Sequence, residues 1–84
     1  MKTFQYRGYN IQPDCPYDDQ IRRWGVLCQI RKQGNAEQQP VPAATPHFFA
    51  NHEDAIADGM RYAKAIIDGH LDRRSGALID LDRF

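Results

Sequence analysis

The sequence has few of the features that mark secreted, membrane-spanning or nucleotide-binding proteins. It contains two cysteines in 84 residues, too few for a disulfide framework. No segment approaches the roughly 20 apolar residues that a helix needs to cross a bilayer. The six glycines never form a G-x-G or G-x-x-x-x-G-K pattern, which excludes the common phosphate-binding loops. We therefore expect a cytoplasmic protein with reduced thiols, no membrane association and no cofactor.

The chain also lacks net charge. Eleven lysine and arginine residues balance eleven aspartate and glutamate residues, whereas general nucleic-acid binders carry a clear basic excess. The balance is uneven, because residues 1–36 hold six basic and three acidic side chains and residues 37–84 hold five basic and eight acidic ones. The two parts are expected to attract each other in the fold. Nucleic acid is the less favoured partner.

The hydrophobic content is sufficient for one small core. Hydrophobic residues make up 42% of the chain and aromatic residues 11%, which argues against a disordered protein. We expect residues 1–70 to form a single domain and residues 71–84 to form a C-terminal tail, partly ordered or disordered. Leu78, Ile79 and Leu81 of the tail either pair as a last strand or pack under a helix.

The N-terminal stretch FQYRGYNI, residues 4–11, alternates apolar and polar residues on both sides of an Arg7-Gly8 pair. If this pair forms a two-residue turn, the two tyrosines face each other, as do Phe4 and Ile11. All four side chains then lie on one side. Arginine is an unusual first residue for such a turn, so a single strand bent at the glycine is the alternative.

The stretch RRWGVLCQIRK, residues 22–32, predicts a strand with two different faces. The side chains that suit a core are Trp24, Val26, Cys28 and Ile30. Residues 14–20, DCPYDDQ, are predicted to form a loop, and residues 33–46, with three prolines, a long flexible connection without regular structure. The HFFA segment that follows could add a further short strand.

A helix is predicted over residues 52–68. Asn51 is the expected N-cap, and Asp54 three residues later resembles a capping box. Apolar residues then recur at spacings of three and four, which places them on one helix face. Gly69 is expected to end the helix.

These elements predict an α+β fold, an antiparallel three- to four-stranded sheet with one main helix packed on one face (β-β-β-(β)-α). A single helix leaves the other side of the sheet open, and no acidic residue is assigned to that side. The side chains expected there are Thr3, Gln5, Arg7, Asn10, Gln12, Arg23, Leu27, Gln29 and Arg31. This side is either an ordinary solvated face or a contact surface for a second copy or an anionic partner. The candidate binding residues are Arg7, Arg23, Leu27, Gln29 and Arg31.

No residue pattern indicates catalysis or metal binding. Cys15 could be combined with His47, His52 or His70 as a nucleophile and base, but nothing in their spacing selects such a site. The potential zinc ligands Cys15, Cys28, His47 and His52 lack zinc-site spacing. We expect neither an enzyme nor a small-molecule ligand.

Four features resemble a group of short uncharacterised bacterial proteins, some of which occur in prophages or other mobile elements. They are YRGYNI, the strand with Trp24, the Phe48-Phe49 pair and EDAIADGMRYAKAIIDG. The resemblance covers residues 4–69 and implies a fold without an assigned activity. The acidic, alanine-rich helix start at Glu53, Asp54 and Ala55 also resembles HicB-type antitoxins, although their Asp-Leu-Pro-Gly motif is absent.

The functional expectation is a non-enzymatic interaction or accessory domain of prophage origin. It would contact a protein partner or form a homodimer through the open sheet side or a strand edge. The alternatives are a nucleic-acid-associated module, with Trp24 and the tyrosines stacking on bases, and a HicB-like antitoxin partner.

Overall fold

The computed structural model describes residues 2–34, 37–79 and 81–82 and confirms the α+β class. Five strands precede one helix: β1 (Phe4–Tyr6), β2 (Tyr9–Pro13), β3 (Tyr17–Asp18), β4 (Arg23–Lys32), β5 (Val41–Phe49) and α1 (His52–Asp72). All strand pairs are antiparallel, and β4 is central. One edge of β4 pairs with β2 and, further along, with β3. The other edge of β4 pairs with β5, and β1 pairs with the outer side of β2.

The N-terminal hairpin is confirmed, with the register that the alternation predicts. Phe4 pairs with Ile11 and Tyr6 with Tyr9. Arg7 has a φ of 50° and Gly8 a φ of 88°, and two positive φ values are the requirement of the type I′ turn that joins twisted strands. The arginine therefore occupies a conformation that glycine and asparagine adopt more easily.

The prediction that residues 33–46 lack regular structure is wrong, because β5 begins at Val41 and continues into the predicted HFFA strand. Proline cannot donate to a strand ladder, but an edge strand tolerates it when its nitrogen faces the unpaired side. Pro42 and Pro46 both lie in β5, which pairs only with β4 among the described strands. The prolines thus indicate an edge strand rather than a loop.

The predicted loop at residues 14–20 also follows the sheet. The Asp14 N–H donates to the Leu27 carbonyl at 2.8 Å, and the Gly25 N–H donates to the Pro16 carbonyl at 2.7 Å. This segment therefore continues β2 along β4 into the two-residue strand β3. The loop prediction is wrong at Tyr17–Asp18, where turn-forming residues are held extended by pairing with β4.

Helix α1 begins where the sequence predicts and ends later. Asn51 occupies the N-cap, but its side chain donates to the Asp54 carboxylate at 3.2 Å instead of capping a backbone N–H. The prediction that Gly69 ends the helix is wrong, since α1 continues to Asp72. A glycine inside a helix costs only about 1 kcal/mol. Contacts of His70 and Asp72 with distant residues hold the last turn in place.

The core lies between α1 and the inner face of the sheet. Tyr9, Ile11, Cys28 and Ile30 are fully buried, as predicted. Phe4, assigned to the same set, is 38% exposed because it lies on the short edge strand β1. A Cβ atom at Gly59 would lie 2.7 Å from Cys28 Sγ, so this glycine permits close contact between helix and sheet.

The described part of the tail packs against this core. Of the two alternatives for Leu78 and Leu81, a last strand or packing under the helix, the structure shows packing. Leu78 is fully buried and Leu81 is 1% exposed, in the same cluster as Tyr9 and Ile67. The carboxylate of Asp82 accepts hydrogen bonds from Tyr9 at 2.7 Å, Lys32 at 3.0 Å and His70 at 2.6 Å. Residues 80, 83 and 84 of the predicted tail lie outside the described residues.

Candidate functional site

The side of the sheet opposite α1, called the outer face, carries the alternate side chains of β4. They are Arg23, Gly25, Leu27, Gln29 and Arg31, and the residues between them include the buried Val26, Cys28 and Ile30. On β2, Asn10 pairs with Arg31 and Gln12 with Gln29. In the described parts of the chain, the one helix packs on the inner side and no second layer covers the outer face. Four of the five candidate binding residues thus lie on one surface.

An apolar patch, consisting of Pro16, Leu27, Ala44 and Phe48, occupies part of the outer face. A Cβ atom at Gly25 would lie 3.5 Å from Pro16 Cγ and 3.7 Å from Phe48 Cε1, so both rings lie over this glycine. Phe48 is 54% exposed. Leu27 pairs with the exposed Ala44 on β5. Of these four, only Leu27 was assigned to the outer face from the sequence.

A bulge in β5 brings the phenylalanines to these positions. Val26 pairs with Thr45, but the adjacent Gly25 pairs with Phe48, which leaves two extra residues in β5. Phe49 consequently pairs with Trp24 and packs on the inner side, while Phe48 lies on the outer face. Nothing in the spacing of residues 41–49 signals this bulge, which is why the sequence did not reveal the patch.

Polar side chains border the apolar patch. Arg31 donates to the Gln38 carbonyl at 3.1 Å, and Gln12 donates to the Asp14 carboxylate at 3.3 Å. Arg23, at the other end of β4, pairs across the strands with Asp18. The expectation of an acid-free surface is therefore wrong, because two aspartates border the outer face. Their charges make it a poorer surface for an anionic partner.

Arg7 does not belong to this surface, contrary to its assignment from the sequence. It extends from the hairpin turn to the helix, where it donates to Asp68 at 2.8 Å and to Asp72 at 2.9 Å. Tyr6 also donates to the Asp68 carboxylate, at 2.9 Å. The hydrogen bonds from Arg7 lower the pKa of both carboxyl groups below their ordinary value. A turn residue cannot be assigned to a sheet face by alternation, because the chain reverses there.

A second polar cluster, centred on the buried Asp58, lies between β5 and α1. Its carboxylate accepts hydrogen bonds from Thr45 at 3.0 Å and Arg61 at 2.9 Å and contacts His47 Nδ1 at 3.0 Å. The bond with His47 is the largest influence and lowers the pKa of Asp58, against the effect of burial. The cluster contains no thiol and connects β5 with the helix. Thr45 and His47 lie 13 and 11 residues before Asp58, and they meet it only because β5 packs against α1, which local spacing does not show.

Trp24 lies on the inner side at one end of the sheet, as the alternation predicts. The Tyr17 ring centroid lies 5.0 Å from that of Trp24, and the His52 ring centroid lies 4.2 Å away. The indole is thus engaged with residues of β3 and α1. This arrangement reduces the surface on which a nucleic-acid base could stack.

The candidate nucleophile and metal ligands do not form a site in the described residues. Cys15 and Cys28 are both buried, and burial raises the pKa of the Cys28 thiol to about 11, with smaller contributions from Cys15 and Asp14. No three His, Cys, Asp or Glu side chains converge to hold a metal ion within residues 2–34, 37–79 and 81–82.

No helix in that same part of the chain is long and apolar enough to cross a membrane.

The fold and the outer face define a class of small α+β domains in which one helix covers one side of an antiparallel sheet. A family model described as "Uncharacterized protein-like" matches residues 1–82, and the chain belongs to that family. A search of curated proteins found no match. That description names no activity.

Proposed function

We propose that this protein is a non-enzymatic interaction domain that binds a protein partner through its outer face. The observation that carries this proposal is the apolar patch, in which Phe48 exposes 54% of its surface. An exposed aromatic ring among flanking arginine and amide groups is typical of protein interfaces. Arginine and aromatic residues also supply a large share of binding energy in such interfaces.

The cellular setting is part of the same proposal. The resemblance to prophage-associated bacterial proteins supports a cytoplasmic accessory protein of a mobile element. A HicB-like antitoxin role is one form of this function, in which a small toxin would be the partner on the outer face. A nucleic-acid-associated role has less support, because the chain has no net charge and two aspartates border the outer face.

Photo-crosslinking in the native host tests the contact surface. A benzophenone-bearing phenylalanine replaces Phe48 on the outer face, and in a matched control it replaces Tyr62, which is 41% exposed on α1. We expect discrete protein adducts from position 48 and none from position 62. The additional change Leu27→Glu should remove the adducts, because it introduces a charge into the apolar patch.

Three results would contradict the proposal. Position 48 could produce no discrete protein adduct, or both positions could produce the same adducts, which would indicate random collision. Adducts that nuclease treatment destroys would assign the surface to nucleic acid. Mass spectrometry of discrete adducts identifies the partner and shows whether it is a toxin-like protein.

A further inference from the structure

We infer that the occupant of the outer face is a second copy of this chain, forming a symmetric dimer in which two sheets pack face to face. This inference rests on the proposed contact function and names its partner. It is supported by the arrangement of the surface, its size, the charge of the chain and the protection of the strand edges.

The outer face has an apolar interior and a polar border along β4. Leu27 lies at the middle of β4, with Arg23 and Arg31 four residues away on either side. Phe48 and Ala44 extend the apolar part onto β5, while Gln12 and Asn10 continue the polar border onto β2. An isologous interface requires such self-complementarity, because each patch must meet its own copy.

The available area suits a weak dimer. A strand of ten residues is about 33 Å long, and the three strands that lie side by side along most of β4 occupy a width of about 14 Å, so the face offers roughly 500 Å² per copy. Specific interfaces bury at least about 1,000 Å² in total. Two outer faces together come close to this lower limit. We therefore expect a dissociation constant in the micromolar to submillimolar range.

The charge of the chain permits self-association. Its basic and acidic residues balance, and its sequence pI is about 6.8. Two copies therefore experience little net repulsion near neutral pH, a condition that favours association. Phe48 and Leu27 can approach their counterparts without opposing a large net charge.

The strand edges are less suitable for association, which directs it to the face. Edge strands pair with other chains through free backbone N–H groups, and proline lacks this group. Pro42 and Pro46 interrupt the row of donors on β5. The other edge strands of the described sheet, β1 and β3, have only three and two residues. The earlier alternative of dimerisation through a strand edge has less support than packing of two outer faces.

Sedimentation velocity on the purified full chain tests the dimer. We expect a monomer at about 1 µM and a dimer at about 500 µM, in keeping with the limited area. Phe48→Glu should raise the dissociation constant at least about tenfold, because a carboxylate would be buried between the two patches. Tyr62→Glu, on the exposed side of α1, should leave it unchanged. Leu27→Gln provides a second, uncharged disruption, and circular dichroism verifies that each variant is folded.

A wild-type chain that remains monomeric at about 500 µM would overturn the second-copy inference. Equal dimerisation of wild type and Phe48→Glu would do the same. If the chain is monomeric but position 48 crosslinks to another protein, the proposed contact function stands and only the identity of the partner is wrong. If neither dimers nor specific adducts form, both proposals fail.

Discussion

Single residues in this fold are often positioned by partners far away in the sequence. Arg7 adopts a positive φ in the hairpin turn, a position that asparagine or glycine would occupy with less strain. Its guanidinium bonds to Asp68 and Asp72, 61 and 65 residues further along the chain. The ionic contacts favour arginine where the turn alone does not, so the residue type reflects tertiary structure.

Asp82 shows the same dependence in the tail. Burial acts to raise the pKa of its carboxyl group, but hydrogen bonds from His70, Tyr9 and Lys32 together lower the pKa to about 2. The Leu78 N–H donates to His70 Nδ1, so Nε2 carries the proton that points to Asp82. Burial and the bond to Asp82 raise the pKa of the Tyr9 hydroxyl to about 12.

The stabilising effect of Asp82 should disappear in acid. Its pKa in the folded state, about 2, lies below the ordinary value of about 3.9. Its contribution is therefore complete above that ordinary value and is lost as the pH falls toward the folded-state pKa. Asp82→Asn should lower the free energy of unfolding at pH 7 by about 1 kcal/mol, a value reduced for the solvent screening of a side chain one-third exposed.

Urea unfolding of the wild type and Asp82→Asn, each at several pH values between about 7 and 2.5, measures this effect. The difference between the two proteins should shrink at the acidic end. Asp58, Asp68 and Asp72 also have lowered pKa values but affect both proteins alike, so their contributions cancel and the difference reports on Asp82 with its bonded partners. A penalty that does not change with pH would disprove the electrostatic origin.

Among the elements, β5 and α1 depart most from their predicted limits. Three prolines between residues 33 and 46 indicated a loop, yet the second and third of them, Pro42 and Pro46, lie in a paired edge strand. Gly69 indicated the end of α1, yet the helix continues for one further turn. Local signals report backbone preferences of about 1 kcal/mol, which pairing with β4 and contacts with the tail exceed. Element type was more predictable than element length.

The two glycines of α1 should respond in opposite ways to alanine. In Gly59→Ala the new methyl group would lie 2.7 Å from Cys28 Sγ and 3.2 Å from Val26 Cγ1. The helix must then move away from the sheet, and overpacking of this kind costs about 1–3 kcal/mol. We expect a net decrease in the free energy of unfolding, measured by urea denaturation, although alanine is the better helix former.

Gly69→Ala is the matched control. Its nearest neighbour would be Ser75 Oγ at 3.8 Å, which is ordinary contact. This variant should gain up to about 1 kcal/mol from helix propensity. A Gly59→Ala protein as stable as Gly69→Ala would show that close helix–sheet contact is not required.

The whole molecule depends on the tail to complete its core. Leu78 and Leu81 lie in the same buried cluster as Ile11 and Ile30 of the sheet and Ile67 of the helix. A domain of this size has a small core and a stability near the low end of about 5–15 kcal/mol. The last described residues therefore contribute a substantial part of the apolar burial.

Truncation of one tail leucine should consequently destabilise the entire fold. Leu78→Ala removes a fully buried side chain, which costs about 2–5 kcal/mol. The adjacent Ile79→Ala removes a side chain that is 50% exposed and should cost less than about 1 kcal/mol. Thermal unfolding followed by circular dichroism compares the two variants. Similar melting temperatures would mean that the tail does not belong to the core in solution.

The sequence alone indicated the fold class, the start of α1 and the alternate faces of β4, and it favoured the hairpin register while leaving a strand bent at Gly8 as the alternative. These depend on period-two and helical spacing and on a two-residue turn, which are local properties of the chain. It identified Arg23, Leu27, Gln29 and Arg31 as one surface, since alternation along a single strand is sufficient for that. Only the tertiary structure decided that Arg7 binds the helix and that Phe48 joins the outer face. Backbone pairing between β4 and β5 and ion pairs between the hairpin and α1 join residues distant in sequence, and local periodicity carries no information about such pairs.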